Sequence, residues 1–189
     1  RHKVKSMNHD VFMAGFGGQG VLLIGNLLAY ATILEGKNAS YFPAYGVEKR
    51  GGAANCTVVM ADGAVGSPVV GEPEATLLMN PAAMEQFYPR VRKGGMALIN
   101  SSLIGDDGSS RTDITLVRIP ANEIALEIGD PRLVNMVMLG GYVEYSKVVA
   151  QDALKEALKE VLPERNHRFL PMNHKALEAG AAFVREALA

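Results

Sequence analysis

Val11-Phe12-Met13-Ala14-Gly15-Phe16-Gly17-Gly18-Gln19-Gly20-Val21-Leu22-Leu23-Ile24 is the stretch that decides the fold. Four apolar residues run into a glycine turn, and a long apolar segment follows. Residues 11–14 suit a buried strand, and residues 20–34 read as a helix opening at the last glycine. Glu35-Gly36 closes that helix, where a left-handed glycine cap is expected. Strand, glycine turn and helix in this order open an α/β unit. The helix has almost no polar face, since Val21, Leu22, Leu23, Ile24, Leu27, Leu28, Ala29, Ile33 and Leu34 surround it. A helix apolar all round is buried all round. Its cover is either a partner subunit or the helices of the C-terminal third.

Outward from this unit, strands are expected at residues 38–42 (stopped by Pro43), 53–60, 75–79, 96–100 and 114–119. Asn80-Pro81 is a helix start with proline at the first helical position. Residues 131–149 are helical in pattern but interrupted by Gly140-Gly141, which marks a kink or a close helix–sheet contact. Residues 151–162 form an amphipathic helix, and residues 173–188 the last one. No repeat or linker divides the chain. The expected fold is α/β: a single three-layer α/β/α Rossmann-like domain over residues 7–189, with a largely parallel sheet and C-terminal helices.

Composition narrows the function. The chain has 189 residues, 19 Lys+Arg against 20 Asp+Glu, a formal net charge of −1 and one cysteine. A single thiol makes no internal disulfide, four-thiolate zinc site or iron–sulfur cluster. The balanced charge leaves no footprint for nucleic acid. The uncharged run from Val11 to Leu34 is long enough to span a bilayer, but its glycines, Gln19 and Asn26 argue against a membrane segment. A cytoplasmic protein is the default expectation. Residues 1–6 are basic and precede Met7, so they read as an added leader rather than a signal sequence.

Gly15-Phe16-Gly17-Gly18-Gln19-Gly20 has the strand–turn–helix context of the dinucleotide fingerprint. Its glycines let backbone N–H groups approach a phosphate at a helix start. The fingerprint also wants an acid at the end of the second strand, and that strand ends Tyr41-Phe42-Pro43. No Lys-Ser/Thr pair follows Gly20, which excludes a phosphate-binding P-loop. The turn is half a nucleotide signature, an anion-binding or close-packing turn, or a purely structural one.

The second constellation is Pro43-Ala44-Tyr45-Gly46-Val47-Glu48-Lys49-Arg50-Gly51-Gly52, joining two strands at the edge of the sheet. Arg50 can bind phosphate or carboxylate with two parallel hydrogen bonds, and Glu48 can orient it. Gly51-Gly52 admits close approach of a ligand or another backbone. A solvated loop is the competing reading. Elsewhere the signals are structural. Cys56 reads as a buried thiol, His9 as part of the N-terminal lead-in, and Met136, Met138 and Met172 as core filler. His167 and His174 lack metal-ligand spacing.

Together with Ala54-Asn55-Cys56-Thr57-Val58, these two blocks resemble the gamma subunit of the 2-oxoacid:ferredoxin oxidoreductases. Asn135-Met136-Val137-Met138-Leu139-Gly140 and Asn173 with Lys175-Ala176-Leu177-Glu178-Ala179-Gly180 resemble later blocks of the same family. The resemblance runs from about Met7 to the end and is nearest the 2-oxoglutarate and branched-chain 2-oxoacid branch. It implies a subunit, not catalytic alone, of an enzyme that converts a 2-oxoacid to acyl-coenzyme A. The partners implied are alpha and beta subunits, with a delta subunit in some members, and ferredoxin or another electron acceptor. Thiamine diphosphate and iron–sulfur clusters are implied in those partners, with no cofactor held tightly here. Coenzyme A contact is implied at Gly15, Gly17, Gly18, Gln19 and Gly20, and at Tyr45, Gly46, Glu48, Arg50, Gly51 and Gly52. No metal ligands or catalytic residues are expected in this chain, and no nucleic-acid or membrane partner. The family often has Pro-Ser-Tyr-Gly-Pro-Glu in the central loop; Ala44 and Val47 depart from it, and the loop loses a rigid proline. Pyruvate, 2-oxoisovalerate and indolepyruvate are alternative substrates. A stand-alone nucleotide-dependent oxidoreductase is the alternative of another class.

Overall fold

A continuous apolar run gives strand β1 (Asn8–Phe16) two buried faces, and every other element is arranged about it. The computed structural model describes residues 7–45, 52–106 and 111–189, with Tyr45 through its backbone alone. The leader expected at residues 1–6 lies outside the described residues. After β1 come α1 (Val21–Leu34), β2 (Asn38–Tyr45), β3 (Ala53–Ala61), β4 (Ala75–Leu78), α2 (Pro81–Phe87), β5 (Met96–Asn100) and β6 (Thr115–Ile119). Four helices complete the chain: α3 (Ala121–Ile128), α4 (Val134–Ser146), α5 (Gln151–Val161) and α6 (Leu170–Ala187).

The six-stranded sheet has the order β2-β3-β1-β4-β5-β6. β1, β4, β5 and β6 are parallel neighbours, and β3 runs antiparallel to both β1 and β2. Only β3 therefore opposes the common direction, so the sheet is largely parallel as expected. Its chain crosses from one side of β1 to the other between β3 and β4. That reversal opens a crevice beyond the carboxyl ends of β1 and β4, where open α/β sheets place their ligands.

Strand alternation assigns the two faces. Val11 and Met13 join Cys56, Val58, Met60, Leu77 and Leu98 beneath α1, α3, α4, α5 and α6. Phe12 and Ala14 join Leu78, Ala97 and Ile99 beneath α2 and the turn at Tyr88–Arg90. The result is the expected three layers. On the thinner side the rings of Phe12 and Phe87 lie 4.5 Å apart, with the Arg90 guanidinium over both. Among the described residues, no helix is long and apolar enough to cross a membrane.

Several boundaries differ from the sequence reading. β2 does not stop at Pro43 but continues to Tyr45. It is an edge strand, where a residue lacking an N–H is tolerated. α6 begins at Leu170, with Pro171 in its first turn, rather than at Asn173. α3, eight residues long, is too short for its apolar periodicity to stand out in the sequence. His9 is part of β1, its Nδ1 3.2 Å from Glu74 Oε1.

The Gly140-Gly141 pair does not interrupt its helix, because α4 runs through it. A Cβ on Gly140 would lie 2.1 Å from the Leu177 carbonyl oxygen, and one on Gly180 only 1.9 Å from that of Val137. The backbones of α4 and α6 thus touch through glycines on both helices. The close contact is mainly helix on helix; Gly141 also faces the Ile119 side chain of β6. α1 lies on β3 and beneath α5, with Val21, Ile24, Leu27, Leu28 and Ala31 buried. One stripe of it, with Tyr30, Ile33 and Leu34, stays exposed.

Candidate functional site

The turn between β1 and α1 is shaped by contacts that leave no room for side chains. A Cβ on Gly15 would sit 2.6 Å from Gln19 Oε1 and 3.0 Å from Met79 Cβ. Gly18 and Gly20 have φ of 92° and 74°, in the left-handed region that favours glycine. Gly20 also abuts Asn135, whose Nδ2 would lie 2.2 Å from a Cβ there and donates to the Gly20 carbonyl oxygen at 3.4 Å. Asn135 reaches this point from the start of α4.

Gln19 folds back over the turn. Its Oε1 accepts from the Phe16 N–H at 2.6 Å and from Asn80 Nδ2 at 2.8 Å. Asn80, 1% exposed, ends the β4 connection and caps α2 by accepting the Ala83 N–H at 2.9 Å. Among the described residues, the N–H groups of Gly18 and Gly20 have no acceptor. They are free to bind an anion at the start of α1, where the helix dipole favours negative charge.

Gly52, just before β3, meets this turn. Gly17 N–H donates to the Gly52 carbonyl oxygen at 2.8 Å, continuing the β1–β3 pairing that ends at Phe16 and Ala53. The structure therefore brings Gly15, Gly17, Gly18, Gln19, Gly20 and Gly52 to one end of the sheet. Tyr45 pairs with Ala54 at the end of β2, on the same side. Gly46, Glu48, Arg50 and Gly51 lie outside the described residues.

A cavity of about 270 Å3 opens beside the turn, lined by Gly18, Gln19, Met79, Leu103, Asn122 and Arg132 among others. The Arg132 guanidinium is gripped by Asp130, with Nη2 2.7 Å from Oδ2 and Nε 3.0 Å from Oδ1. Those hydrogen bonds hold the Asp130 carboxyl below the usual carboxylate range. Arg132 and Asn135 also line a second cavity of about 270 Å3, with Leu23, Phe169, Met172 and Asn173. Asn80, Asn122 and Arg132 were not foreseen as site residues. In the sequence Asn80 signals a helix start, and Asn135 stands out only within a family-like block.

The thiol of Cys56 is fully buried beneath Gly25, and burial pushes it up to about 12. Such a thiol is inert, as its sequence context suggested. Among the described residues, no group of three or more His, Cys, Asp or Glu could hold a metal ion.

Residues 10–183 match the sequence profile described as pyruvate ferredoxin/flavodoxin oxidoreductase. The chain is 37% identical over 177 residues to ketoisovalerate oxidoreductase subunit VorA of Methanothermobacter thermautotrophicus, covering 93% of this chain and 36% of that protein. It thus spans about a third of that relative's length. It is 31% identical over 166 residues to 2-oxoglutarate synthase subunit KorC of Methanocaldococcus jannaschii, covering 87% of this chain and 88% of KorC. Among solved structures, the gamma subunit of a keto/oxoacid ferredoxin oxidoreductase from Geobacter sulfurreducens superposes with a TM-score of 0.81 and 27% identity, over 96% of this chain and 98% of that one. A 2-oxoglutarate:ferredoxin oxidoreductase from Magnetococcus marinus, solved with 2-oxoglutarate, coenzyme A and succinyl-CoA bound, shares the fold with a TM-score of 0.84. Its identity is 23%, over 95% of this chain and 31% of that one. The resemblance read in the sequence is borne out along nearly the whole chain, which belongs to the pyruvate ferredoxin/flavodoxin oxidoreductase family.

Proposed function

We propose that the chain is the gamma-type subunit of an oxidoreductase that decarboxylates a 2-oxoacid, transfers the acyl group to coenzyme A and passes electrons to ferredoxin or another acceptor. The observation that carries this reading is the hydrogen bond from Gly17 to Gly52, which joins the glycine turn to the base of the central loop. Tyr45 and Gly52, on either side of the central loop, thereby lie at the same end of the sheet as the glycine turn. The free N–H groups of Gly18 and Gly20 fit a phosphate of coenzyme A. Arg50, four residues after Gly46 in the sequence, has the chemistry to hold another.

The oxidative chemistry belongs to the alpha and beta subunits, through thiamine diphosphate and iron–sulfur clusters. An iron–sulfur cluster needs several thiolates, and this chain has one deeply buried thiol, so its own residues do not fit that group. We assign this chain to assembly and coenzyme A positioning, in the cytoplasm, with 2-oxoglutarate as the first substrate to test. The KorC relative supports that choice by matching along 88% of its length. Pyruvate, 2-oxoisovalerate and indolepyruvate are the alternatives. The sheet order weighs against a stand-alone nucleotide enzyme: β3 separates β2 from β1, so the end of β2 is removed from the place of a ribose-binding acid.

The test is Arg50→Ala in the complex assembled with its alpha and beta subunits. The Michaelis constant for coenzyme A should rise about tenfold or more, as for a lost charged hydrogen bond, while the thermal unfolding of the isolated chain stays unchanged. A coenzyme A response equal to wild type, with assembly intact, contradicts the reading.

A further inference from the structure

Asn80 lies outside the glycine turn, yet its hydrogen bonds dictate which end of the Gln19 amide can face the cavity. The α2 cap settles the first step. Ala83 N–H is a donor, so the atom of Asn80 beside it must be Oδ1. Nδ2 is then the atom turned to Gln19, and a donor there requires an acceptor, Oε1. The Phe16 N–H requires the same oxygen. Two donors thus converge on Gln19 Oε1, and a flipped amide would set an NH2 group against both. The Gln19 Nε2 amide has no partner among the described residues. Gln19 also lines the cavity of about 270 Å3 with Gly18 and Arg132. Burying Asn80 to 1% exposure without both bonds would leave a desolvated amide, so the pair is held firmly.

We propose that Asn80 is a positioning residue that locks Gln19 with its oxygen inward, so that the Nε2 donor serves an anionic group of coenzyme A beside the free N–H groups of Gly18 and Gly20. This rests on the coenzyme A reading above and adds the direction of the amide to it. Asn80→Asp separates this role from the cap. The carboxylate still accepts from Ala83 but turns a second acceptor toward Gln19. Gln19 then meets a donor, the Phe16 N–H, and an acceptor, the carboxylate, which no single amide direction satisfies, so its Nε2 is no longer held toward the ligand. Gln19→Glu removes that donor directly, since one oxygen keeps both inward bonds and the other carries negative charge.

The experiment measures steady-state kinetics of the assembled complex for wild type, Asn80→Asp, Gln19→Glu and Arg50→Ala. Coenzyme A and the 2-oxoacid are varied separately. The expected result is a rise of about tenfold in the Michaelis constant for coenzyme A in both near-isosteric variants. The constant for the 2-oxoacid and kcat at saturating coenzyme A stay within about twofold. A purely structural role would lower assembled enzyme or kcat and leave the coenzyme A constant alone, and that outcome overturns the proposal. If Arg50→Ala raises the coenzyme A constant but the two amide variants do not, the positioning role fails and the coenzyme A reading stands. If none of the three changes it, both fail.

Discussion

Gly20 answers to two constraints at once, and they can be separated. Its φ of 74° is strained for any side chain, at about 1–2 kcal/mol. Its Cα also faces Asn135, so a methyl group would clash with the carboxamide. Gly20→Ala should therefore lower the unfolding free energy by about 1–3 kcal/mol in urea titration. Adding Asn135→Ala should return the steric share and leave the dihedral share. Strict additivity of the two losses would contradict the contact. Asp10 offers a pH-dependent case. Burial raises its carboxyl above the usual 3.8; repulsion from Glu74 adds to this, while the hydrogen bond from Glu74 N–H, Arg92 and His9 oppose it. A carboxyl raised in the folded state binds more protons there than in the unfolded chain, so its contribution to stability falls as pH climbs from about 3.8 through the raised value. Asn in its place keeps an acceptor for Glu74 N–H. Urea midpoints of Asp10→Asn should gain on wild type across that window and hold the gain above it. A gap that narrows with rising pH would show the sign to be wrong.

At the scale of elements, the contact between α4 and α6 inverts a familiar preference. Glycine inside a helix costs about 1 kcal/mol relative to alanine, so Gly→Ala normally stabilises. At Gly180 a methyl group would meet the Val137 carbonyl oxygen at 1.9 Å, and backbone cannot step aside as a flexible side chain does. Gly180→Ala should destabilise by about 1–3 kcal/mol, seen as a lower denaturant midpoint with an unchanged slope. A stabilised variant would mean that the helices stand apart. The sequence pattern showed α4, α5, α6 and the strands because apolar periodicity is a local signal. It showed Gly140-Gly141 as special, but not that Gly180 completes the contact. The glycine turn and central loop were legible as blocks for the same local reason. Gln19 and Asn80 lie 61 residues apart, and Gly20 and Asn135 lie 115 apart, so those pairings exist only once the sheet order is known. Pro43 misled because its meaning depends on whether a strand lies at an edge, which is set by the insertion of β3 between β2 and β1.

For the whole molecule, apolar surface remains uncovered by the described residues. Phe12, Thr57 and Phe42 lie in register across β1, β3 and β2, and Phe16 shares their face by strand alternation. α2 covers Phe12 but leaves Phe16 and Phe42 exposed by 43% and 47%. Tyr30, Ile33 and Leu34 of α1 add a second apolar strip on the opposite side of the sheet. Such surface suits a chain that docks on larger subunits. Phe16→Asp combined with Phe42→Asp should reduce recovery of this chain with its alpha and beta subunits on size exclusion. The isolated chain should retain its fold, since neither ring belongs to a buried cluster. Full recovery of the complex would remove that face from the interface. The central claim concerns what the complex does with this chain and without it. Its most direct test is coenzyme A-dependent electron transfer from a 2-oxoacid to ferredoxin by alpha and beta subunits, measured before and after this chain is added. The account predicts stable assembly and turnover that depends on the added chain and on coenzyme A. Turnover and assembly that are the same in its absence would contradict it.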